Sequence, residues 1–267
     1  MTPSLSTPPD LARRLLAELV GTAGLVAVVV GSGIAAQQLS PGQLGPQLLQ
    51  NSTATVLGLA VLILLFGPVS GAHFNPVVSA ADWLLGRRTR TGLTGRDVWA
   101  YTAAQIIGAV AGAVLANVMF GLAAIEVSQK PRSGIGLWVG ELVATVGLIA
   151  VIFALARTGR AALSAAAVAG WIGAAYWFTS STSFANPAVT IGRMFSDTFA
   201  GIAPASAPGF IAAQLVGGLV GLGLVLVLYP DAPRAAAVAA VPHSTTADPV
   251  RAIHPALPLI DPPWRPR

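Results

Sequence analysis

The 267-residue chain contains no cysteine, which excludes disulfides, thiolate metal sites and thiol catalysis. Charge is nearly as scarce. Asp, Glu, Lys and Arg together make up 9% of residues, against about 25% in soluble domains. Aromatic residues are few, at 7%, whereas 54% of the chain is hydrophobic and its mean hydropathy is +0.73. Such a composition finds its solvent in lipid. The basic excess, 15 Lys and Arg against 10 Asp and Glu, forms no stripe interleaved with aromatics, so no nucleic-acid partner is expected. The charges fall instead in short clusters between apolar runs, as in the loops of membrane proteins.

Six segments are long enough to cross a bilayer: 11–34, 52–69, 97–119, 135–156, 161–179 and 208–229. Each approaches the roughly 20 residues that a ~30 Å hydrocarbon core demands. The first follows Arg13 and Arg14 but is too long for a signal peptide and is followed by further spans, so it reads as retained. All are dense in Gly and Ala, which let helices approach closely in lipid. Residues 1–10 and 230–267 are rich in proline and lack a periodic apolar face, and read as a disordered N-terminus and a disordered tail. With the N-terminus inside the cell, only Lys130, Arg132 and Arg193 of all the basic residues fall outside. The positive-inside rule therefore places both termini in the cytoplasm, with the chain in the cell membrane.

The apolar region, 11–229, repeats itself. Ala17-Glu-Leu-Val-Gly-Thr returns as Gly140-Glu-Leu-Val-Ala-Thr, Phe74-Asn-Pro-Val-Val as Ala185-Asn-Pro-Ala-Val, and Ala103-Ala-Gln-Ile-Ile-Gly as Ala212-Ala-Gln-Leu-Val-Gly. Three matches in the same order divide the region into repeat one, 11–119, and repeat two, 135–229. Each repeat holds an odd number of spans, so the second enters the membrane from the opposite face, as an inverted repeat. Two shorter apolar stretches, each about ten residues long and beginning at Asn75 and Asn186, cannot cross alone. At membrane depth they are tolerated only as re-entrant half-helices beside protein or a water-filled cavity.

Asn is a favoured helix N-cap and Pro a favoured first helical residue. Asn75-Pro76 and Asn186-Pro187 thus each start a half-helix. The Asn oxygen caps the first turn, while its NH2 group is left to donate to whatever lies ahead. Two helix N-termini facing each other there, each worth about +0.5 charge, repel cations and hold the oxygen of a neutral solute. Pro76, Val77, Pro187 and Ala188 complete this expected central constriction.

With these motifs the chain resembles the aquaporin family of passive solute channels. Ser70-Gly-Ala-His-Phe-Asn-Pro matches the family's first signature loop and Asn186-Pro-Ala the second. Glu18 and Glu141 match glutamates of the first and fourth helices, and Tyr101-Thr-Ala-Ala-Gln the start of the third. The resemblance covers residues 11–229. It implies an all-α membrane fold of six transmembrane helices plus two half-helices, a homotetramer with one pore per subunit, and no cofactor. It also implies an outer selectivity constriction of four positions, which ungapped counting from the two Asn residues places at Thr55, Ala174, Ser183 and Val189. Water-selective members carry an arginine at the last of these, where this chain has Val189. A ring so small and uncharged implies a wide pore. Similar aliphatic replacements occur in bacterial aquaglyceroporin-like channels associated with arsenic resistance, so arsenite or a related metalloid acid is the first expectation for the solute. Glycerol, small polyols and water are the alternative.

Several single residues carry further expectations. Glu18 and Glu141 are expected to accept backbone N–H bonds from the loops that hold the half-helices. His73 is expected to bond loop carbonyls and not a metal, since no second ligand lies near it. Arg193, one helical turn beyond Val189, either partly replaces the missing cation or, by preference, reaches the outer interface or pairs with Asp197. An enzyme is not expected, because no nucleophile, base and orienting group converge. A secondary transporter also uses inverted repeats and broken helices, but would need a coupling site beyond the two symmetric glutamates.

Overall fold

The computed structural model describes residues 9–87 and 90–230. The expectations for the chain's first eight residues and for 231–267 lie outside the described residues. Eight α-helices follow in order: α1 Leu11–Leu39, α2 Leu44–Ser70, α3 Pro76–Gly86, α4 Gly95–Met119, α5 Ile135–Arg157, α6 Ser164–Phe178, α7 Pro187–Gly192 and α8 Ala207–Leu228. Short 3-10 turns precede α6 and α8 and extend α7 through Arg193–Phe195. Six of these helices are long and apolar enough to cross a membrane, while α3 and α7 are not. This is an all-α membrane protein of six spanning helices and two half-helices, with four helices in each repeat.

The ends of α1 and α2 lie beyond the apolar segments that announced them. Residues 35–39 and 44–51 are helical although several are polar, and two of these side chains, Gln47 and Asn51, are buried and donate to acceptors within α1 and its C-cap. Asn51 Nδ2 donates to the Val29 carbonyl oxygen at 2.8 Å and to Ser32 Oγ at 2.9 Å, and Gln47 Nε2 donates to the Ser40 carbonyl at 2.7 Å. The second half-helix is shorter than expected, with 6 residues, fewer than two α-turns, before its 3-10 extension.

Close backbone approach joins the helices within each repeat. A Cβ added at Gly108 or Gly112 would lie 2.3 Å from the Leu19 carbonyl oxygen or 2.2 Å from that of Ala23, so α4 lies directly on α1. Gly217 and Gly221 stand in the same relation to Leu142 and Val146, at 2.7 Å each, so α8 lies on α5. A small residue every fourth position is the usual means of such packing in lipid, where no hydrophobic drive separates helix from solvent. Leu57, Val61, Leu64, Leu65, Leu219 and Val227 are exposed on the outer faces of α2 and α8.

Candidate functional site

The two loops that precede α3 and α7 carry left-handed backbone at residues that are not glycine. Ala72 and Phe74 have φ of 49°, and Ser183 and Ala185 have φ of 51° and 50°. Each such residue costs on the order of 1 kcal/mol or more unless its surroundings impose it. Here a buried carboxylate imposes it. Glu18 accepts from the backbone N–H of His73 at 2.9 Å and of Phe74 at 2.7 Å, and also from Ser70 Oγ and Gln105 Nε2. Glu141 accepts from the N–H of Phe184 and of Ala185, both at 2.8 Å, and from Gln214 Nε2. The repeat that is visible in the sequence is thus a repeat of hydrogen bonds.

So held, the loops deliver Asn75 and Asn186 to one another. Asn75 Oδ1 caps α3 by accepting from the Val77 N–H, and Asn186 Oδ1 caps α7 by accepting from those of Ala188 and Val189. Asn75 Nδ2 donates to the Ala185 carbonyl at 2.8 Å, and Asn186 Nδ2 donates to the Phe74 carbonyl at 2.7 Å. Each amide therefore spends one of its two protons on the opposite loop and keeps one. His73 Nδ1 lies 3.0 Å from the Ser79 hydroxyl within α3, and its ring meets that of Tyr101 edge to face.

Both asparagines line a narrow cavity of about 60 Å³ that runs between the repeats, enough for a few water-sized bodies. Thr55, Leu59 and Ile63 line it from α2, and Val168, Ile172 and Tyr176 from α6. These are two i, i+4, i+8 stripes, each occupying one helix face. Thr55 Oγ1 and Tyr176 Oη lie 3.2 Å apart, which sets the register of the two stripes. Ser183, Phe184, Val189 and Arg193 complete the same end. Val78 and Val189, each three residues after its Asn, both line the wall.

Several residues grouped with the site stand elsewhere. Ala174 is exposed on the outer face of α6. Two residues is about 200° around a helix, so it points away from the wall that Ile172 and Tyr176 form. Ungapped counting missed the loop's true length, and Tyr176 is the residue that stands beside Thr55. Pro76, Val77, Pro187 and Ala188 are not among the lining residues, since they begin their helices facing the packed bundle. A Cβ on Gly218 of α8, for instance, would meet the Val77 side chain at 2.4 Å. Nor does Arg193 pair with Asp197. It is 1% exposed and its guanidinium lies 3.4 Å from the Phe184 ring centroid, while Asp197 Oδ1 accepts from the Gln129 N–H. The end of the cavity expected to be small and uncharged therefore holds a tyrosine, a phenylalanine and an arginine.

A paired half-helix site on six spans, bridged through two Asn-Pro turns, is an arrangement shared with other proteins. A family profile described as Major intrinsic protein matches residues 5–182. Over 225 residues the chain is 48% identical to Aquaglyceroporin AqpS of Rhizobium meliloti (strain 1021), covering 84% of this chain and 94% of that one. The chain belongs to the major intrinsic protein family. It is a multi-pass integral membrane protein and a passive channel for small solutes, and not an enzyme. Other relatives include the Glycerol uptake facilitator protein of Pseudomonas aeruginosa, 32% identical over 60% of this chain and 62% of that one. The solved aquaglyceroporin from Plasmodium falciparum shares the fold, with a TM-score of 0.59 at 21% identity, covering 83% of this chain and 98% of that one.

Within this major intrinsic protein, Gln105 and Gln214 brace the two glutamates, and their place in the third repeated motif is the one signal for them in the sequence. Tyr176 and Phe184 carry no such signal. No motif announces them, because their positions depend on where α6 ends and how the following loop turns.

Proposed function

We propose that the cavity between the repeats is the conducting path, and that it passes small uncharged hydroxylated solutes. A trivalent metalloid acid such as arsenous acid is the first candidate, with glycerol and water as the second. The observation that supports this most is the lining. One side of the path is aliphatic, with Leu59, Ile63, Val168 and Ile172. Polar groups interrupt it: Asn75 and Asn186 with His73 beside them, and Thr55, Tyr176, Ser183 and Arg193 at one end. Ser183 Oγ is buried and has no hydrogen-bond partner among the described residues. A buried hydroxyl without a partner calls for one, and a solute hydroxyl would supply it.

The aliphatic stretch of Leu59, Ile63, Val168, Ile172 and Val189 suits a compact polyol mimic, and Tyr176, Ser183 and Arg193 at one end of it offer polar groups to its hydroxyls. The names of the two bacterial relatives, an aquaglyceroporin and a glycerol facilitator, agree with a polyol-sized solute. The same reading places both chain termini in the cytoplasm and assembles the protein as a homotetramer with one pore per subunit.

Stopped-flow light scattering on proteoliposomes, with water, glycerol and arsenous acid compared in turn, tests the proposal. The expected result is a flux of at least one of the hydroxylated solutes well above that of empty vesicles, unchanged when proton and sodium gradients are collapsed. A flux that vanishes with either gradient would favour a secondary transporter instead. Vesicles that respond to none of the three would overturn the reading.

A further inference from the structure

Three basic side chains gather at the outer end of the path: Lys130 and Arg132 from the loop between α4 and α5, and Arg193 from the turn that extends α7. Two of them are committed to the backbone of 199–201. Lys130 Nζ donates to the Phe199 carbonyl at 2.8 Å. Arg132 donates through Nε to the Gly201 carbonyl at 2.8 Å and through Nη2 to that of Phe199 at 3.1 Å. Neither lines the cavity.

Arg193 differs. It anchors its stem through a bond from Nε to the Ala200 carbonyl and lays its guanidinium on the Phe184 ring. Both Nη groups are without a hydrogen-bond acceptor among the described residues, and the side chain lines the cavity beside Tyr176, Ser183 and Val189. No carboxylate pairs with it either; the one ion pair among the described residues joins Arg14 to Asp97. A fork of donors held at its base and bare at its tip is oriented for whatever passes.

We propose that Arg193 is the specificity-determining cation of the outer constriction, supplied from one helical turn beyond Val189, and that it makes this end of the path reject cations. The inference rests on the conducting path proposed above. Val189 and Arg193 are four residues apart, and residues at that spacing share a face of a helical turn. The 3-10 continuation of α7 and the Phe184 ring beneath the guanidinium bring the charge back toward the axis. The positive charge of the constriction has been moved along the path and not lost. A fixed cation in a low-dielectric neck raises a barrier to small cations while leaving neutral polyols free to bond its donors.

The experiment measures two fluxes on the same proteoliposomes, glycerol by light scattering and sodium by a trapped indicator. Arg193→Gln is expected to keep glycerol flux within a few-fold of the parent and to raise the sodium leak by roughly tenfold or more. Combining Val189→Arg with Arg193→Gln is expected to return the leak to the parent level, since the charge is then restored one turn back. If Arg193→Gln conducts glycerol with a parental sodium leak, the inference is overturned while the conducting path stands. If no variant and no parent conducts glycerol, the path itself fails. Should Arg193→Gln not fold, Arg193→Lys carries the test. Its seal against sodium is expected to hold while the introduced amine is protonated and to open as pH rises and the amine, which burial and the neighbouring Lys130 and Arg132 hold below its ordinary value, loses its proton. The parent protein, which keeps Lys130, Arg132, Glu141 and Tyr176 around the same neck, serves as the control at each pH. A seal in Arg193→Lys as tight at high pH as the parent's overturns the inference.

Discussion

Glu18 is buried in the membrane-spanning part of the molecule and accepts four hydrogen bonds, two of them from backbone. Replacing it leaves donors in a place that no water reaches. Glu18→Ala is expected to cost on the order of 3 kcal/mol or more, read as a lowered unfolding midpoint in detergent, with Glu18→Gln losing less because it keeps one acceptor oxygen. A midpoint unchanged by Glu18→Ala would mean that the strained loop needs no such clamp. Lys130 gives a residue-scale prediction of opposite sign. Burial, then the neighbouring Arg132 and Arg193, push its amine down from 10.5 to about 8. Between those values the unfolded chain binds more protons than the folded one, so this residue's contribution to stability rises with pH through that window. The parent is expected to gain stability between pH 8 and 10.5 relative to Lys130→Gln. Equal pH dependence in the two would contradict the assigned burial.

At this same scale the sequence was legible where a residue's role is repeated and opaque where it is not. Glu18 and Glu141, and Asn75 and Asn186, stand out because each has a counterpart in the other repeat. Tyr176 has no such echo, and counting back from Asn186 landed on Ala174, on the wrong face of α6. The loop from Thr179 to Ala185 sets the count. Its length in space depends on left-handed residues such as Thr182 and Ser183, which no propensity would place there.

At the scale of elements, the spans could be read because hydrocarbon thickness dictates their length and because polar residues interrupt them. The ends of α1 and α2 could not, since Gln47 and Asn51 look like loop residues until their carbonyl partners are known. Glycine spacing carries the prediction at this scale. Gly112→Ala puts a methyl group 2.2 Å from the Ala23 carbonyl oxygen, and Gly221→Ala puts one 2.7 Å from that of Val146. Each is expected to separate its helix pair at a cost of about 1–3 kcal/mol. Gly223→Ala, with nothing within 4 Å, is expected to leave the midpoint unchanged or higher. If all three behaved alike in a thermal melt, backbone contact would not be what joins α4 to α1 and α8 to α5.

Across the whole molecule, two half-helices enter from opposite faces and stop at a shared point, so neither crosses and no backbone donor is wasted on lipid. The duplicated order of motifs made that architecture readable. The charge distribution at the Tyr176 end of the cavity was not readable, because Val189 announced a missing arginine while Arg193 looked like an interface residue. Only the turn after Gly192, the Phe184 ring and the Ala200 carbonyl together bring that guanidinium to the cavity.

One free amide proton from each asparagine is expected to converge on a passing solute. A structure of the protein soaked in glycerol at a resolution that orders water tests it most directly. The expected result is a solute or water oxygen within about 3.2 Å of both Asn75 Nδ2 and Asn186 Nδ2, in a file continuous with Ser183 Oγ and the Arg193 Nη groups. Glycerol ordered elsewhere, with dry and apolar space between the two asparagines, would contradict it.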